Sequence, residues 1–145
     1  MGNPKVMVAV RGGSSVESLV TLACQLSQVM SADLTALHVV EVPLPTPLDA
    51  TDETIDHPGL EVLEKAQQVA GKLSRQLAPE LLRAREVGEA IVGVAKERGV
   101  DLLVMGHHKP HPHTLSETLL GGTVRYVAHH APCRVIVQIP PPAHR

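Results

Sequence analysis

The stretch VMVAVRGGSSVESLV, residues 6–20, changes its hydrophobic period at a glycine turn. Residues 6–10 form a uniformly apolar run, which is typical of a buried strand, and the small residues at 12–15 predict a tight turn. After the turn, apolar residues recur at helical spacing, with Ser14 or Ser15 as the expected N-cap. The chain therefore begins as strand, turn and helix.

The same alternation continues along the rest of the chain. Further strands are expected at residues 34–40, 81–87, 101–105 and 133–139, and Arg83 and Arg85 indicate that the one at 81–87 lies near a sheet edge. Further helices are expected from Leu60 until Pro79 stops the pattern, at 89–98 until Gly99 closes it, and from Val124 until Pro132. Residues 42–58 contain four prolines and several acids, and are expected to be irregular.

Five strands that alternate with helices predict an α/β fold, with helices on both faces of a parallel sheet. For this size we expect one domain over residues 1–145, with a Rossmann-like, doubly wound five-stranded sheet in the order 3-2-1-4-5 and a flexible tail at 140–145. Ligands of such sheets bind at the carboxyl ends of strands 1 and 4, where the winding reverses. The turn after residue 10 and the loop after residue 105 are expected to meet there.

Composition excludes several classes of protein. Aromatic residues make up 1% of the chain, the formal charge is −2 and no Lys/Arg cluster is present, so nucleic-acid binding is not expected. Cys24 and Cys133 fit no metal or redox spacing and are expected to be buried thiols in a reducing compartment. With no apolar run of bilayer length and no signal-peptide pattern, we expect a cytoplasmic protein that does not insert into a membrane.

The sequence offers no arrangement for catalysis. It contains no G-x-S-x-G, no H-E-x-x-H, no Walker A motif and no evident nucleophile–base–acid set. We therefore expect that the protein is not an enzyme, with at most a weak nucleotide hydrolysis.

Five stretches carry a resemblance to a known family. They are VMVAVRGGSSVES at 6–18, ADLTALHVVEV at 32–42, DLLVMG at 101–106, LLGGTV at 119–124 and HHAPCRVIV at 129–137. Together they resemble the universal stress proteins over essentially the whole chain. The resemblance implies the fold derived above, also described as adenine nucleotide alpha hydrolase-like. It also implies homodimers and membership of either a nucleotide-binding or a non-binding class.

This chain has only part of the nucleotide-binding motif that the resemblance implies. The binding class carries G-x-x-G-x(9)-G-[ST] after strand 4 and an Asp at the end of strand 1. This chain has Gly106 and the pair Gly122-Thr123, but Lys109 stands at the second glycine and Arg11 at the Asp position. Gly122 follows Gly106 by sixteen residues, three more than the motif allows.

These departures have physical consequences. Lys109 and the prolines after it stiffen the loop and remove amide donors, but residues 122–124 still begin a helix, whose free amides attract anions. Arg11 would repel a divalent cation and pair directly with phosphate. Equally, it could form a salt bridge with Glu41 or Asp101.

The site expected from the residues and the resemblance combines these positions with the adenine-facing end of strand 2. Val39 lies there, and is either a contact for adenine or a core residue of a central strand. A metal ion is not required, and the expected ligand is ATP, AMP or a cyclic nucleotide or dinucleotide. The predicted binding residues are Arg11, Gly12, Val39, Gly106, His107, Lys109, Gly122, Thr123 and Val124.

The loop HHKPHPH at 107–113 raises the alternative of a metal site. His107, His111 and His113 are weak candidate ligands, since Pro110 and Pro112 keep successive side chains apart. A solvated loop is the favoured interpretation, with Thr114 and Glu117 as a capping box.

Two functions remain open. The first is a regulatory module that senses an adenine nucleotide or a related phosphate ligand. The second is a non-nucleotide interaction module in stress or transport, acting through its dimer surface or with a membrane transporter, as the resemblance to permease- and antiporter-associated domains implies. For the dimer we expect pairing through the exposed strand 5, at Val135, Ile136 and Val137.

Overall fold

A computed structural model describes residues 2–12, 15–49, 53–107 and 121–139. Over these residues strands and helices alternate as expected. The elements are β1 (Lys5–Ala9), α1 (Val16–Met30), β2 (Asp33–Glu41), α2 (Glu53–Lys72), β3 (Ala78–Ala84), α3 (Val87–Arg98), β4 (Leu102–Gly106), α4 (Gly122–His130) and β5 (Arg134–Gln138). No helix in these ranges is long and apolar enough to cross a membrane.

The sheet is parallel and has the order β3-β2-β1-β4-β5, which confirms the predicted topology. β1 lies at its centre because residues 6–8 are apolar and buried on both faces. Its two neighbours are β2 and β4, and the winding reverses between β1 and β4. The carboxyl ends of these three strands therefore lie together on one edge of the sheet.

Two hydrophobic cores cover the two faces of the sheet. Val6 and Val8 point to the layer formed by α1 and α2, whereas Met7 points to the layer formed by α3 and α4. This alternation follows from the two-residue period of a strand. The fold is thus a three-layer sandwich whose central strand is buried on both faces at residues 6–8.

The predicted start of α1 and the predicted end of α3 are largely confirmed. Gly99 ends α3 in the left-handed region with a φ of 64°, as a C-terminal glycine should. α1 begins at Val16 after Ser15, but the Ser15 side chain makes no capping hydrogen bond. Ser14, Thr114 and Glu117 lie outside the described residues, so their capping roles stay predictions.

The predicted start of α2 is wrong. Irregular chain was expected through Pro58, but α2 begins at Glu53 and contains Pro58. Tertiary contacts hold this first part of the helix: the guanidinium of Arg83 donates to the carboxylate of Asp56, with 3.0 Å from Nε to Oδ1. A Cβ on Gly59 would approach Cδ2 of His38 to 2.6 Å, so helix and sheet are in close contact there. These contacts outweigh the local preference of proline.

The predicted end of α2 is also wrong. The helix stops at Lys72, and Leu77 is buried beyond it in the turn that leads to β3. Pro79, expected to end the helix, lies inside β3. A proline is tolerated there because, among the described strands, β3 pairs with β2 alone, so one side of it needs no amide donors. The expectation that this strand lies at the sheet edge is confirmed.

Candidate functional site

A cavity of about 580 Å³ opens at the carboxyl edge of the sheet. It lies at the reversal point between β1 and β4, with the start of α4 on one side and α3 on another. The structure brings the described members of the predicted site together in its wall. They are Arg11, Gly12, Val39, Gly106, His107, Gly122, Thr123 and Val124. Lys109 lies outside the described residues.

The first residues of α4 line this cavity. Gly121 is the N-cap residue, and the amide of Arg125 makes the first helical bond, to the carbonyl of Gly121 at 3.0 Å. The amides of residues 122–124 therefore have no acceptor within the helix. With the positive end of the helix dipole, they form an environment that favours an anion.

The glycines at this helix start have no packing partner that requires them. A Cβ added to Gly121 or Gly122 would meet no atom within 4 Å, and Gly121 has an ordinary φ of −68°. A Cβ on Gly106 would meet Cδ2 of Leu19 at 3.7 Å, which is normal contact. Among the described residues, nothing fills the space beside Gly121 and Gly122, so a ligand could approach their backbones closely.

Arg11 supplies a positive side chain at the end of β1. It is exposed and forms no ion pair with either of the acids considered for it, Glu41 and Asp101. Asp101 lies at the amino ends of the strands, where its carboxylate accepts a 2.8 Å hydrogen bond from the amide of Lys5. Among the described residues, the guanidinium of Arg11 therefore has no ion-pair partner.

The neighbouring residues His38 and Val39, at the end of β2, have different surroundings. Nδ1 of His38 lies 2.8 Å from the carbonyl oxygen of Val10, which fixes the backbone next to Arg11. The His38 ring packs against α2 at Gly59 and is not part of the cavity wall. Val39 is half-buried, lines the cavity and packs against the second core. It is therefore a core residue, and its contact with adenine stays a prediction.

His107 is the most unusual polar residue of the wall. It is 7% exposed, and its Nδ1 has no hydrogen-bond partner among the described residues. Its backbone amide donates to the carbonyl oxygen of Gln138 at 2.9 Å. The side chain of Gln138 in turn donates to Oγ of Ser18 at 2.8 Å. The backbone position of His107 is therefore fixed from β5 and α1, whereas the imidazole nitrogen is left unsatisfied.

Several wall residues were missed by the sequence analysis. Glu41, at the end of β2, and Gly121 could have been found from their position beside predicted site residues. Val87 and Ile91 belong to α3, which carries no ligand-binding signal in the sequence. They become neighbours of the site because α3 packs over β2 and β3.

The metal hypothesis is not tested by the structure. No group of three or more His, Cys, Asp or Glu side chains comes together in the part of the chain that the structure describes. Of the three histidines named for it, His111 and His113 lie outside that part.

A parallel sheet of order 3-2-1-4-5 with a cavity at its reversal point defines a doubly wound α/β protein. The sequence profile of the universal stress protein family matches residues 2–138, and the chain belongs to that family.

Individual relatives agree with this assignment. The universal stress protein Slr1101 of Synechocystis sp. is 38% identical over 90 residues, which cover 62% of this chain and 80% of that protein. The structure of UspA from Lactobacillus plantarum is 26% identical, with a TM-score of 0.70 over 92% of this chain and 96% of that one. The Archaeoglobus fulgidus protein in complex with dAMP has a TM-score of 0.71 at 21% identity, over 94% and 97% of the two chains.

Proposed function

We propose that this domain is a regulatory module that binds an adenine nucleotide at the carboxyl edge of its sheet. The observation that carries the proposal is the meeting of Arg11, the start of α4 and an apolar wall in one cavity of about 580 Å³. The relative solved with dAMP shares the fold, and supports an adenosine monophosphate as the first ligand to test. ATP and cyclic nucleotides or dinucleotides also combine a base with phosphate, and are alternative ligands for the same site.

In this proposal the phosphate lies at the start of α4 and the base lies over the apolar wall. Amides 122–124 and the hydroxyl of Thr123 would donate to the phosphate, and Arg11 would pair with it. Val39, Val87 and Ile91 offer aliphatic surface to adenine. A divalent cation is not required because Arg11 supplies positive charge directly and would repel one. The proposed role is binding and regulation in the cytoplasm, without a catalytic step.

Thermal unfolding in the presence of AMP tests the proposal. A ligand that binds only the folded state at a hundred times its Kd adds about 2.7 kcal/mol to the free energy of unfolding, so millimolar AMP should raise the Tm. Arg11→Asp and Thr123→Ala should reduce the shift, and EDTA should not. Arg134→Asp is the matched control. It makes the same charge change at the amino end of β5, away from the cavity at the carboxyl ends of the strands. An unchanged Tm of the wild-type protein in millimolar AMP would contradict the proposal.

One observation favours the second candidate, an interaction module. β5 is an edge strand whose Val135, Ile136 and Val137 are only half-buried, so it offers a surface for a second copy or for a membrane-transporter partner. Partner binding that is unaffected by Arg11→Asp would favour this function over nucleotide sensing.

A further inference from the structure

Three helices of the fold end with the same turn. After α1, α2 and α3, one backbone amide donates to the carbonyl three residues back, and the next amide donates to the carbonyl five residues back. The residue that makes the first of these bonds has a positive φ each time: 53° at Ser31, 58° at Ser74 and 64° at Gly99. Glycine is the usual residue in this turn because it has no Cβ. α1 and α2 thus end with a strained serine where α3 has an unstrained glycine.

Ser31 and Ser74 share a location that Gly99 does not. Both line a second cavity, of about 910 Å³, at the amino ends of β2 and β3. Gly99 lines neither this cavity nor the candidate nucleotide site. A glycine at either serine position would relieve the backbone but would remove a hydroxyl from the cavity wall. Because backbone strain is concentrated at functional positions, the two hydroxyls indicate that this cavity binds a ligand.

The wall of this second cavity is polar and has no net formal charge. Besides the two serines, its neutral polar side chains are Asn3, Gln28, Gln67 and Gln76. Asp33 and Arg75 add one charge of each sign. Amides and hydroxyls both donate and accept hydrogen bonds, so the wall complements a polar ligand that is itself neutral overall.

The two charges of the wall do not pair with each other or with another charge among the described residues. Oδ1 of Asp33 accepts a 3.3 Å hydrogen bond from Nδ2 of Asn3. Nη2 of Arg75 donates to the carbonyl oxygen of Ala32 at 3.1 Å and to Oγ of Ser27 at 3.0 Å. Because Ala32 directly precedes Asp33, the guanidinium lies close to Asp33 along the wall. A ligand with two opposite charges a short distance apart would complement both.

We propose that this cavity is a second ligand site that binds a small zwitterion of the α-amino acid type. Such a molecule carries its ammonium and its carboxylate on the same carbon atom, which suits the short separation of Asp33 and Arg75. Asp33 accepts from the ammonium, Arg75 donates to the carboxylate, and the hydroxyls of Ser31 and Ser74 add hydrogen bonds. The site is independent of the proposed nucleotide function, since the two cavities share no lining residue.

Three matched compounds test the chemistry of the ligand. L-glutamine has both charges and an amide that suits the amide side chains of the wall. N-acetyl-L-glutamine lacks the ammonium, and L-glutamine α-amide lacks the carboxylate. In 15N–1H NMR titrations of the full chain, we expect L-glutamine to cause saturable shifts at the cavity residues at millimolar concentration. The Kd should rise about tenfold or more for each compound that lacks one charge.

Substitutions test the residues. Asp33→Asn keeps the shape of the side chain, and should raise the Kd for L-glutamine about tenfold or more. Glu97→Gln is the matched control, because it removes the same charge from an exposed position of α3 outside the cavity wall, and it should bind as the wild type does.

Ser31→Gly and Ser74→Gly separate the turn from the ligand. Each should unfold a few degrees higher without ligand, because glycine relieves the positive φ. Each should also raise the Kd for L-glutamine about threefold or more, because a hydroxyl is lost.

Three results would overturn the proposal. The first is a wild-type protein without saturable shifts in millimolar L-glutamine. The second is an equal Kd for the three compounds, since the two charges of the ligand would then not be recognised. The third is a pair of glycine variants that gain stability and still bind L-glutamine as the wild type does, since the strained serines would then have no part in binding.

Discussion

Two free cysteines occupy different environments in the fold. Cys24 is 1% exposed in α1, and burial raises the pKa of its thiol even though the positive charge of Arg75 acts in the opposite direction. Cys133 is half-buried ahead of β5; burial raises its pKa, and the carboxylate of Asp101 adds to the effect. The expectation of two buried thiols is thus confirmed for Cys24 and only in part for Cys133.

Alkylation should distinguish these two thiols. The thiolate is the reactive form, so a raised pKa keeps labelling of Cys133 slow near neutrality and lets its rate continue to increase above pH 8.5. Cys24 should be labelled in the native protein only through unfolding, because reagent cannot reach a side chain in the core. Mass spectrometry after iodoacetamide treatment at several pH values measures both rates. Equal labelling of Cys24 and Cys133 in the folded protein would contradict this.

Gly93, inside α3, and Gly99, which directly follows it, should respond to the same substitution with opposite signs. Gly99 ends the helix with a φ of 64°, where an alanine is strained. Gly93 lies exposed inside the helix, and a Cβ there would meet nothing within 4 Å. We expect Gly99→Ala to lower the free energy of unfolding by about 1 kcal/mol, and Gly93→Ala to raise it by about 0.5–1 kcal/mol. Urea unfolding measures both, and a destabilising Gly93→Ala would contradict the helix assignment.

The difference between α3 and α2 shows which elements can be predicted from sequence. The end of α3 depends on the backbone of Gly99 alone, so a local signal is sufficient. The bounds of α2 depend on Arg83, which is 27 residues from its partner Asp56, and on contact between Gly59 and His38. Sequence patterns do not reveal such distant contacts, so Pro58 and Pro79 predict helix bounds that the structure does not have.

The site follows from the order of the whole sheet more than from any single motif. Because parallel strands end at one edge, Arg11 and Gly106 could be assigned to the same cavity once the order was known. Glu41, Val87 and Ile91 depend on how far β2 extends and on which face α3 presents, which packing decides. The strand order can thus be predicted from the alternation of strands and helices, whereas the residues of the outer cavity wall cannot.

Dimerisation is the prediction that belongs to the whole molecule. Within the described part of the chain β5 has a partner strand on one side only, and its side chains contact both cores while staying half-buried. Pairing of two such strands about a twofold axis would satisfy their free backbone groups and cover Val135, Ile136 and Val137. We expect a dimer at micromolar concentration by sedimentation or light scattering, and a monomer for Val135→Lys, because a lysine on an edge strand opposes pairing.

The control for this experiment is a lysine on another exposed apolar site. Val29 is 84% exposed on α1, so Val29→Lys changes charge and surface apolarity without touching β5. Far-UV circular dichroism of both variants should match the wild type, which ensures that a change in mass reports association and not unfolding. A wild-type protein that stays monomeric at micromolar concentration would contradict the strand-5 dimer. So would equal dissociation by Val29→Lys, since the association would then depend on general surface apolarity and not on the free edge of the sheet.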